Sequence, residues 1–259
     1  MDHIVEQTNL YAEQQKRDNP NASTYSFVKI WEPIDRKELE KFFGLLFLMG
    51  IIHKPKIRDY WSTDPLMSST VFGAIMTRNR FQSILKFLHF NDNDRAPDPR
   101  DQNRDRLYKL RPLIDHLCDA FQNNYEPDMC VSIDESLLLW KGRLVFRQYL
   151  PLKRARFGIK LYSCCESRSG YTYRFRVYTG KEDPATQMTN DLPPALHQAL
   201  SSEKTVAWLM LPLLDKGYHL FVDNYYTSIP LANYLLQRST LMTGTIRANR
   251  MPATLKSTA

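Results

Sequence analysis

The stretch GYHLFVDNYYTSIPLANYLL, residues 217–236, decides the fold of this chain. Residues 218–222 are apolar and predict a buried strand, which ends on Asp223 just before a helix start. A second stretch, MCVSIDESLLLW at 129–140, has the same form, because an apolar strand leads into Asp134. The chain thus places a carboxylate in each of two strands that otherwise have the composition of a protein core.

The elements around these two strands predict the topology. After residue 128 the pattern indicates the order β-β-β-α-β-α-β, and the turn Ser167–Gly170 predicts an antiparallel hairpin. Three strands joined in this way, followed by a helical crossover to a parallel strand, match a ribonuclease-H-like layout. We therefore expect an α/β fold with a ribonuclease-H-like mixed sheet, in which the first and fourth strands are neighbours.

The first half of the chain has helical patterning instead. Asp35 can cap a helix with Glu38 in capping-box spacing, and the following run to Phe47 is apolar almost all round. Such a helix is expected to lie at the centre of its unit. We expect an all-α domain over residues 1–127 and the sheet-containing domain over residues 128–259.

The two carboxylates can form one site if the first and fourth strands are neighbours, although 89 positions separate Asp134 from Asp223. Two buried like charges in contact are unfavourable unless a cation neutralises them. Mg²⁺ prefers oxygen ligands, and Mn²⁺ can replace it, so the pair predicts a divalent-metal site that acts on a phosphodiester. The alternative is structural: Asp134 ends a strand and Asp223 opens an Asx turn. Glu135 is predicted to point to the opposite face, without a catalytic role.

The net charge of +7 is concentrated in one segment, residues 141–160, which contains no acidic residue. Removing its seven cations from the 35 Lys and Arg leaves 28, which equals the number of Asp and Glu. Such a patch indicates a polyphosphate partner such as DNA, whereas the alternative is a solvated basic hairpin. Two further cations follow the last predicted strand. The candidate DNA-binding residues are Lys141, Arg143, Arg147, Lys153, Arg154, Arg156, Lys160, Arg247 and Arg250.

Several classes of protein are disfavoured by composition. The longest apolar run, residues 42–52, is too short to span a bilayer, and the polar N-terminus does not have the pattern of a signal peptide. We therefore expect an intracellular protein without membrane contact. Its four cysteines have no C-x-x-C spacing and are predicted to be reduced thiols.

Several ordered blocks resemble the piggyBac transposases and the host proteins derived from them. They are IDRKELEKFFGLLFLMGI, DYWS, RNRFQSILKFLHFNDND, SIDESLLLWKGR, YLPLKRARFGIKLY, HLFVDNYYTSIPLANYLL and TGTIRANR, which together extend over most of the chain. Ordered blocks at consistent spacing are more specific than any single motif.

This resemblance implies a cut-and-paste DNA transposase that acts at TTAA targets in the nucleus. It implies a ribonuclease-H-like core with three Mg²⁺-binding aspartates, of which Asp134 and Asp223 match the first two, and a helical dimerisation and DNA-binding domain, hence a homodimer. The third aspartate and the zinc domain of the family lie beyond this sequence, so a core truncated before its third acid is expected. Two alternatives are a domesticated, non-catalytic DNA-binding protein and a protein-interaction or dimerisation module.

Overall fold

The structure is a computed structural model that describes residues 1–101, 104–151, 156–180, 192–193, 196 and 198–251 of the 259-residue chain. It divides into two compact units. The first comprises Met1–Ala96 and Tyr108–Leu113, and the second comprises Pro97–Leu107 and Ile114–Ala259. Each unit has its own buried apolar cluster and is described by itself below.

The first unit is built from helices. These are α1 (Asp2–Asp18), α2 (Arg36–Ile51), α3 (Thr70–Ile75) and α4 (Arg78–Phe87), with 3₁₀ turns at Ile57–Trp61 and Asn93–Arg95. Its core is rich in aromatic rings, and Phe42, Phe72, Phe81 and Phe87 are fully buried in it. The predicted helix after Asp35 is confirmed.

Helix α2 begins as its sequence predicts. The Asp35 carboxylate accepts a hydrogen bond from the backbone N–H of Glu38 at 2.7 Å. The Glu38 side chain does not return to the cap, since it forms an ion pair with Arg80 of α4 at 2.6 Å. Helix α2 contributes to the core of the unit along its whole length, from Leu39 to Leu48 and Met49, as expected for a central helix. It is not buried all round, because one side faces solvent and Phe47 there is 75% exposed.

The second unit contains the sheet. Its strands are β1 (Cys130–Leu139), β2 (Gln148–Tyr149), β3 (Phe157–Glu166), β4 (Thr172–Val177), β5 (His219–Val222) and β6 (Leu241–Gly244). Its helices are α6 (Ser201–Met210) and α7 (Ile229–Gln237), and α5 (Arg111–Asn124) crosses the boundary between the units at Leu113. The predicted alternation of strands and helices is confirmed for these elements.

The sheet is mixed, with the strand order β2-β3-β1-β5-β6 and with β4 paired to β3. Strand β3 is antiparallel to β1, β2 and β4. Strand β5 is parallel to both β1 and β6. The predicted first and fourth strands, β1 and β5, are therefore neighbours, as expected.

One strand and two element boundaries differ from what the sequence pattern predicts. The short strand β2 lies in the basic segment, where no strand is predicted. The pattern of residues 243–247 predicts a last strand from Thr243 to Arg247, whereas β6 ends at Gly244 and the chain then forms a 3₁₀ turn at Ala248–Arg250. The pattern before the sheet predicts a helix from about Leu107 to Asn123, whereas α5 begins at Arg111 and the Leu107 side chain packs in a small cluster with Phe146.

Apolar side chains cover both faces of the sheet. One face carries the main core, in which Val131, Ile133 and Leu220 of the central strands pack against α6 and α7. The other face carries the smaller cluster around Leu107. All four cysteines are free thiols, as predicted, and burial raises the pKa of Cys164 to about 12. Within the described residues, no helix combines the length and the apolar character needed to cross a bilayer.

One buried carboxylate, that of Glu166, ties the start of β1 to the β3–β4 hairpin. Its side chain is 2% exposed and accepts hydrogen bonds from the backbone N–H of Asp128 at 2.7 Å and from the hydroxyl of Tyr125 at 2.9 Å. The hydroxyl of Ser169 donates a third bond. These donors, the Asp128 N–H first among them, lower the pKa of Glu166 to about 2.

This arrangement makes the contribution of Glu166 to stability depend on pH. A carboxyl group whose pKa is lower in the folded chain stabilises the fold above the pKa of the unfolded chain, about 4.3. That stabilisation is lost as the pH falls from about 4.3 towards 2. We predict that Glu166→Gln lowers the free energy of unfolding at pH 7, and that its difference from the wild type shrinks below about pH 4.3, as measured by urea unfolding.

Glu126→Gln is the matched control, because Glu126 is an exposed carboxylate in the neighbouring segment. It should leave the free energy of unfolding within about 0.5 kcal/mol of the wild type at pH 7. A difference between Glu166→Gln and wild type that is the same at pH 7 and at pH 3.5 would contradict the prediction.

Candidate functional site

The parallel pairing of β1 with β5 places the two aspartates of the predicted site. Cys130 is in register with His219, and three further pairs follow, of which the last is Ile133 with Val222. The next residue along the chain is Asp134 within β1 and Asp223 directly after the end of β5. Because adjacent strands lie about 4.8 Å apart, the backbones that carry the two carboxylates are immediate neighbours.

The two carboxylates lie on the side of the sheet away from the main core. Side chains alternate between faces along a strand, and Ile133 and Val222 pack in or against that core. Asp134 and Asp223 are consequently exposed. The expectation that these aspartates are buried like charges was wrong, because both strands turn their apolar residues to the core and their acidic residues to solvent.

Asp223 also organises the turn that follows β5. One of its carboxylate oxygens, Oδ1, accepts a hydrogen bond from the N–H of Tyr225 at 2.9 Å, which is the predicted Asx turn. Its backbone carbonyl accepts from the hydroxyl of Thr227 at 2.8 Å. The hydroxyl of Ser228 then caps α7. Asp134 is held in a similar way, since its Oδ1 accepts from the N–H of Glu135 at 2.7 Å.

Strand β6 passes unusually close to this turn. A Cβ atom on Gly244 would lie 2.3 Å from Thr227 Oγ1 and 2.7 Å from the carbonyl oxygen of Val222. Both distances are shorter than real Cβ contacts, so only glycine allows the strand to pair here without displacing the turn.

Four candidate DNA-binding residues of the basic segment are exposed, namely Lys141, Arg143, Arg147 and Arg156. The Arg147 guanidinium lies 5.2 Å from the centre of the Phe157 ring, and it donates to the carbonyls of Lys141 and Gly142. Lys153 and Arg154 lie outside the described residues. The structure therefore gives this segment a solvent-facing cluster of positive charge.

The remaining three cations gather around Tyr225, beside the Asp223 turn. Lys160 Nζ lies 5.4 Å and Arg247 Cζ lies 5.8 Å from the centre of the Tyr225 ring. Arg250 is directed inward, because it donates to the backbone carbonyls of Tyr225 at 2.8 Å and Thr227 at 3.1 Å. The Arg250 guanidinium thus stabilises the turn, whereas Arg247 is exposed to solvent.

Within the described residues, the two aspartates included, no group of three or more His, Cys, Asp or Glu is arranged to hold a metal ion. Asp134 and Asp223 are thus a set of two carboxylates, and oxygen ligands of this kind suit a hard divalent cation.

Comparison with known proteins places the chain in a family. The sequence profile described as Transposase IS4 matches residues 1–258. The human PiggyBac transposable element-derived protein 2 is 29% identical over 250 residues, which cover 95% of this chain. The chain belongs to the piggyBac transposase family.

The other comparisons agree with this assignment. The human PiggyBac transposable element-derived protein 3 is 29% identical over 214 residues, which cover 83% of this chain. One chain of a cryo-EM structure of a piggyBac transposase synaptic complex with hairpin DNA has a TM-score of 0.77 and 29% identity, and the match covers 98% of this chain. The chain spans 38% and 34% of the two human proteins and half of the chain in the synaptic complex.

One feature of this piggyBac-family site was not foreseen from sequence. The hydroxyl of Tyr226 donates to Glu135 Oε2 at 2.9 Å, on the core side of the sheet. The sequence did predict that Glu135 faces away from Asp134. The hydrogen bond between Tyr226 and Glu135 could not be predicted, because 91 positions separate the two residues.

The close approach at Gly244 gives a direct test of the site geometry. We predict that Gly244→Ala lowers the free energy of unfolding by about 1–3 kcal/mol, because its methyl group forces Thr227 or the Val222 carbonyl to move. Gly44→Ala in α2 is the control, since a Cβ there has no neighbour within 4 Å. In a helix interior this change should be neutral or should stabilise by up to about 1 kcal/mol. Urea unfolding measures the free energy of unfolding of both variants. Equal values for Gly244→Ala and Gly44→Ala would refute the close contact.

Proposed function

We propose that this chain is the DNA-binding and strand-cleaving part of a piggyBac-type transposase, or of a protein derived from one, that acts by cut-and-paste transfer at TTAA sites. The observation that carries the proposal is the parallel pairing of β1 with β5, which places Asp134 within β1 beside Asp223, the residue that follows β5. Both carboxylates are exposed, so a large polyanionic substrate can approach them.

We further propose a ribonuclease-H-like assignment for the sheet. Three features support it: the antiparallel pairing of β3 with β1 and β4, the helical crossover from β4 through α6 to β5, and the parallel addition of β5 and β6. In that layout the first and fourth predicted strands carry the first two acidic residues. The helical unit is proposed to serve dimerisation and DNA binding, and the protein is proposed to act in the nucleus.

Asp134 and Asp223 fit a divalent cation in chemistry and position. Each uses Oδ1 to accept a backbone N–H, and a carboxylate oxygen can accept more than one interaction. Mg²⁺, or Mn²⁺ in its place, would supply charge stabilisation for a phosphodiester when bound here. The protein itself contributes the fixed direction of the two carboxylates, which the Asx turn and the strand backbone hold in place.

The cations near the site support DNA as the substrate. Lys141, Arg143 and Arg156 are exposed in the basic segment, and Arg247 is exposed beside the Asp223 turn. Each phosphate that such a residue neutralises releases condensed counterions, which favours binding without regard to sequence. The synaptic complex that resembles this chain contains hairpin DNA, which supports the same class of partner.

A second candidate function is DNA binding without cleavage. It is favoured by one observation, namely that no third acidic side chain joins Asp134 and Asp223 in a metal-binding group within the described residues. Under this alternative the basic segment still binds phosphates. The two functions differ in metal-dependent strand cleavage.

The metal proposal predicts a weak site that depends on both aspartates. Asp134→Asn and Asp223→Asn should each weaken Mn²⁺ binding by about tenfold or more, because a charged ligand is removed. Electron paramagnetic resonance of free Mn²⁺ during titration measures the affinity. Asp119→Asn is the control, since Asp119 is an exposed carboxylate on α5.

Unchanged Mn²⁺ affinity in the two site variants would contradict the metal proposal. Cleavage of a DNA duplex that carries a TTAA site, by the wild type and not by either variant, would separate the transposase function from simple DNA binding.

The DNA proposal predicts a change in salt dependence. Replacing Lys141, Arg143 and Arg156 with Ala should weaken duplex binding and flatten the slope of log K against log salt. The expected change is about 0.9 for each phosphate that is no longer neutralised, or about 2.7 if each of the three residues neutralises one. Fluorescence anisotropy between 50 and 300 mM salt, roughly the range over which such slopes are resolved, measures it.

Arg168→Ala is the matched control, because this exposed arginine lies in the β3–β4 turn, far along β3 from the basic segment. Its slope should equal that of the wild type. An unchanged slope in the triple variant would mean that DNA binds elsewhere, and that residues 141–160 form a solvated hairpin.

A further inference from the structure

We propose that Glu135 and Tyr226 form a positioning pair that holds together the middle of β1, which carries Asp134, and the turn after β5, which begins with Asp223. Both side chains lie on the core side of the sheet, opposite to the aspartates. They act on the proposed metal site only by holding Asp134 and Asp223 in position. The inference rests on the proposed function for its effect on metal binding. The hydrogen bond itself, from Tyr226 to Glu135, can be tested without any metal.

The position of the pair in the sheet suggests this role. Glu135 follows Asp134 directly in β1, and Tyr226 lies three residues after Asp223. Strand β5 ends at Val222, whereas β1 continues to Leu139. The parallel register therefore stops at the pair Ile133–Val222, immediately before the two aspartates. Beyond it, the bond from Tyr226 to Glu135 is a side-chain link between the two segments.

A short series of bonds connects the pair to Asp223. The backbone carbonyl of Asp223 accepts from the N–H groups of Tyr226 at 3.3 Å and Thr227 at 3.2 Å. The phenol of Tyr226 then reaches Glu135 at 2.9 Å, and Glu135 is covalently joined to Asp134. A shift of either segment thus requires at least one of these bonds to lengthen.

The surroundings of Tyr226 make this link rigid. The side chain is fully buried, and its ring makes edge contacts with Tyr162 and Tyr225 at centroid distances of 6.4 and 4.9 Å. A buried phenol needs an acceptor, and a carboxylate is a strong one. Burial, followed by the nearby Glu135, raises the pKa of Tyr226, so the phenol keeps the proton that it donates.

The same geometry argues against Glu135 as a third metal ligand. Glu135 is in register with Tyr162, and alternation along β1 places it on the face of Ile133, opposite to Asp134. Lys160 Nζ lies on that face as well, 4.7 Å from the centre of the Tyr162 ring. The acidic residue next to Asp134 is thus directed towards the core and a cation, away from the exposed aspartates.

The test uses Tyr226→Phe, which removes only the hydroxyl, in the whole chain. Hydrogen exchange is measured at the amides of Tyr226 and Thr227, and Mn²⁺ affinity is measured by electron paramagnetic resonance. We expect faster exchange at these amides and an Mn²⁺ dissociation constant raised about three- to tenfold. This is less than the full effect of one hydrogen bond to a charged group, because the bond acts on the metal site only through the aspartates. Tyr173→Phe, another buried tyrosine of the same core, should change neither.

A double-mutant cycle separates the pair from general loss of packing. In a Glu135→Ala background, Tyr226→Phe should add no further change in exchange or in Mn²⁺ affinity, because its partner is already absent. Glu135→Gln, which keeps an acceptor, should lie between the wild type and Glu135→Ala.

The outcomes distinguish this inference from the proposed function. If the wild type binds no Mn²⁺ through its aspartates, the proposed function fails, and the exchange data alone decide on the pair. Unchanged exchange at Tyr226 and Thr227 in Tyr226→Phe overturns the inference. So do additive effects of the two substitutions, or Mn²⁺ binding that needs the aspartates and is insensitive to Tyr226→Phe.

Discussion

The parallel pairing of β1 with β5 is the interaction on which the rest of the second unit depends. Its four residue pairs bring Val131, Ile133 and Leu220 into one core, and each such buried side chain stabilises the fold by about 1.5–3 kcal/mol. Because the side chains alternate, the same pairing turns Asp134 and Asp223 to the opposite side. The position of the acidic site is therefore a direct consequence of how the core is packed.

The start and the middle of β1 are fixed by different chemistry. At its start, the buried Glu166 collects donors from the segment before β1 and from the hairpin turn, which anchors the antiparallel part of the sheet. Where the backbone hydrogen bonds between β1 and β5 stop, the Asx turn of Asp223 and the bond between Tyr226 and Glu135 hold the two segments in place. Polar groups that are hydrogen-bonded in this way favour one arrangement of the strands, since another arrangement would leave buried groups such as the Glu166 carboxylate without partners.

Much of the architecture could be predicted from sequence, because it depends on local periodicity. The apolar strands at 129–139 and 218–222, the hairpin turn and the cap at Ser228 each have a short-range signal, and their order implied that β1 and β5 are neighbours. The exposure of the two aspartates could not be read in this way. It depends on which face of the sheet the helices cover, and an acidic residue at a strand end has the same sequence pattern in either case.

The contacts of the basic residues could not be predicted from the sequence either. Arg247 and Arg250 are similar in sequence context, yet Arg247 is exposed while Arg250 donates to two carbonyls of the Asp223 turn. Such differences arise from the path of the chain after β6. The short strand β2 was missed for a related reason, since two residues carry no periodicity and pair only because β3 is beside them.

The separation of the paired strands along the chain has a consequence for synthesis. Cys130 pairs with His219, so β1 leaves the ribosome 89 residues before its parallel neighbour. At about 5–20 residues per second, this delay is roughly 4–18 s. During that time β3 can pair with β1 and β4 with β3, but one edge of β1 and its apolar face remain uncovered. Closing so long a loop is slow, and a chain with this topology is expected to need protection from aggregation while it is being made.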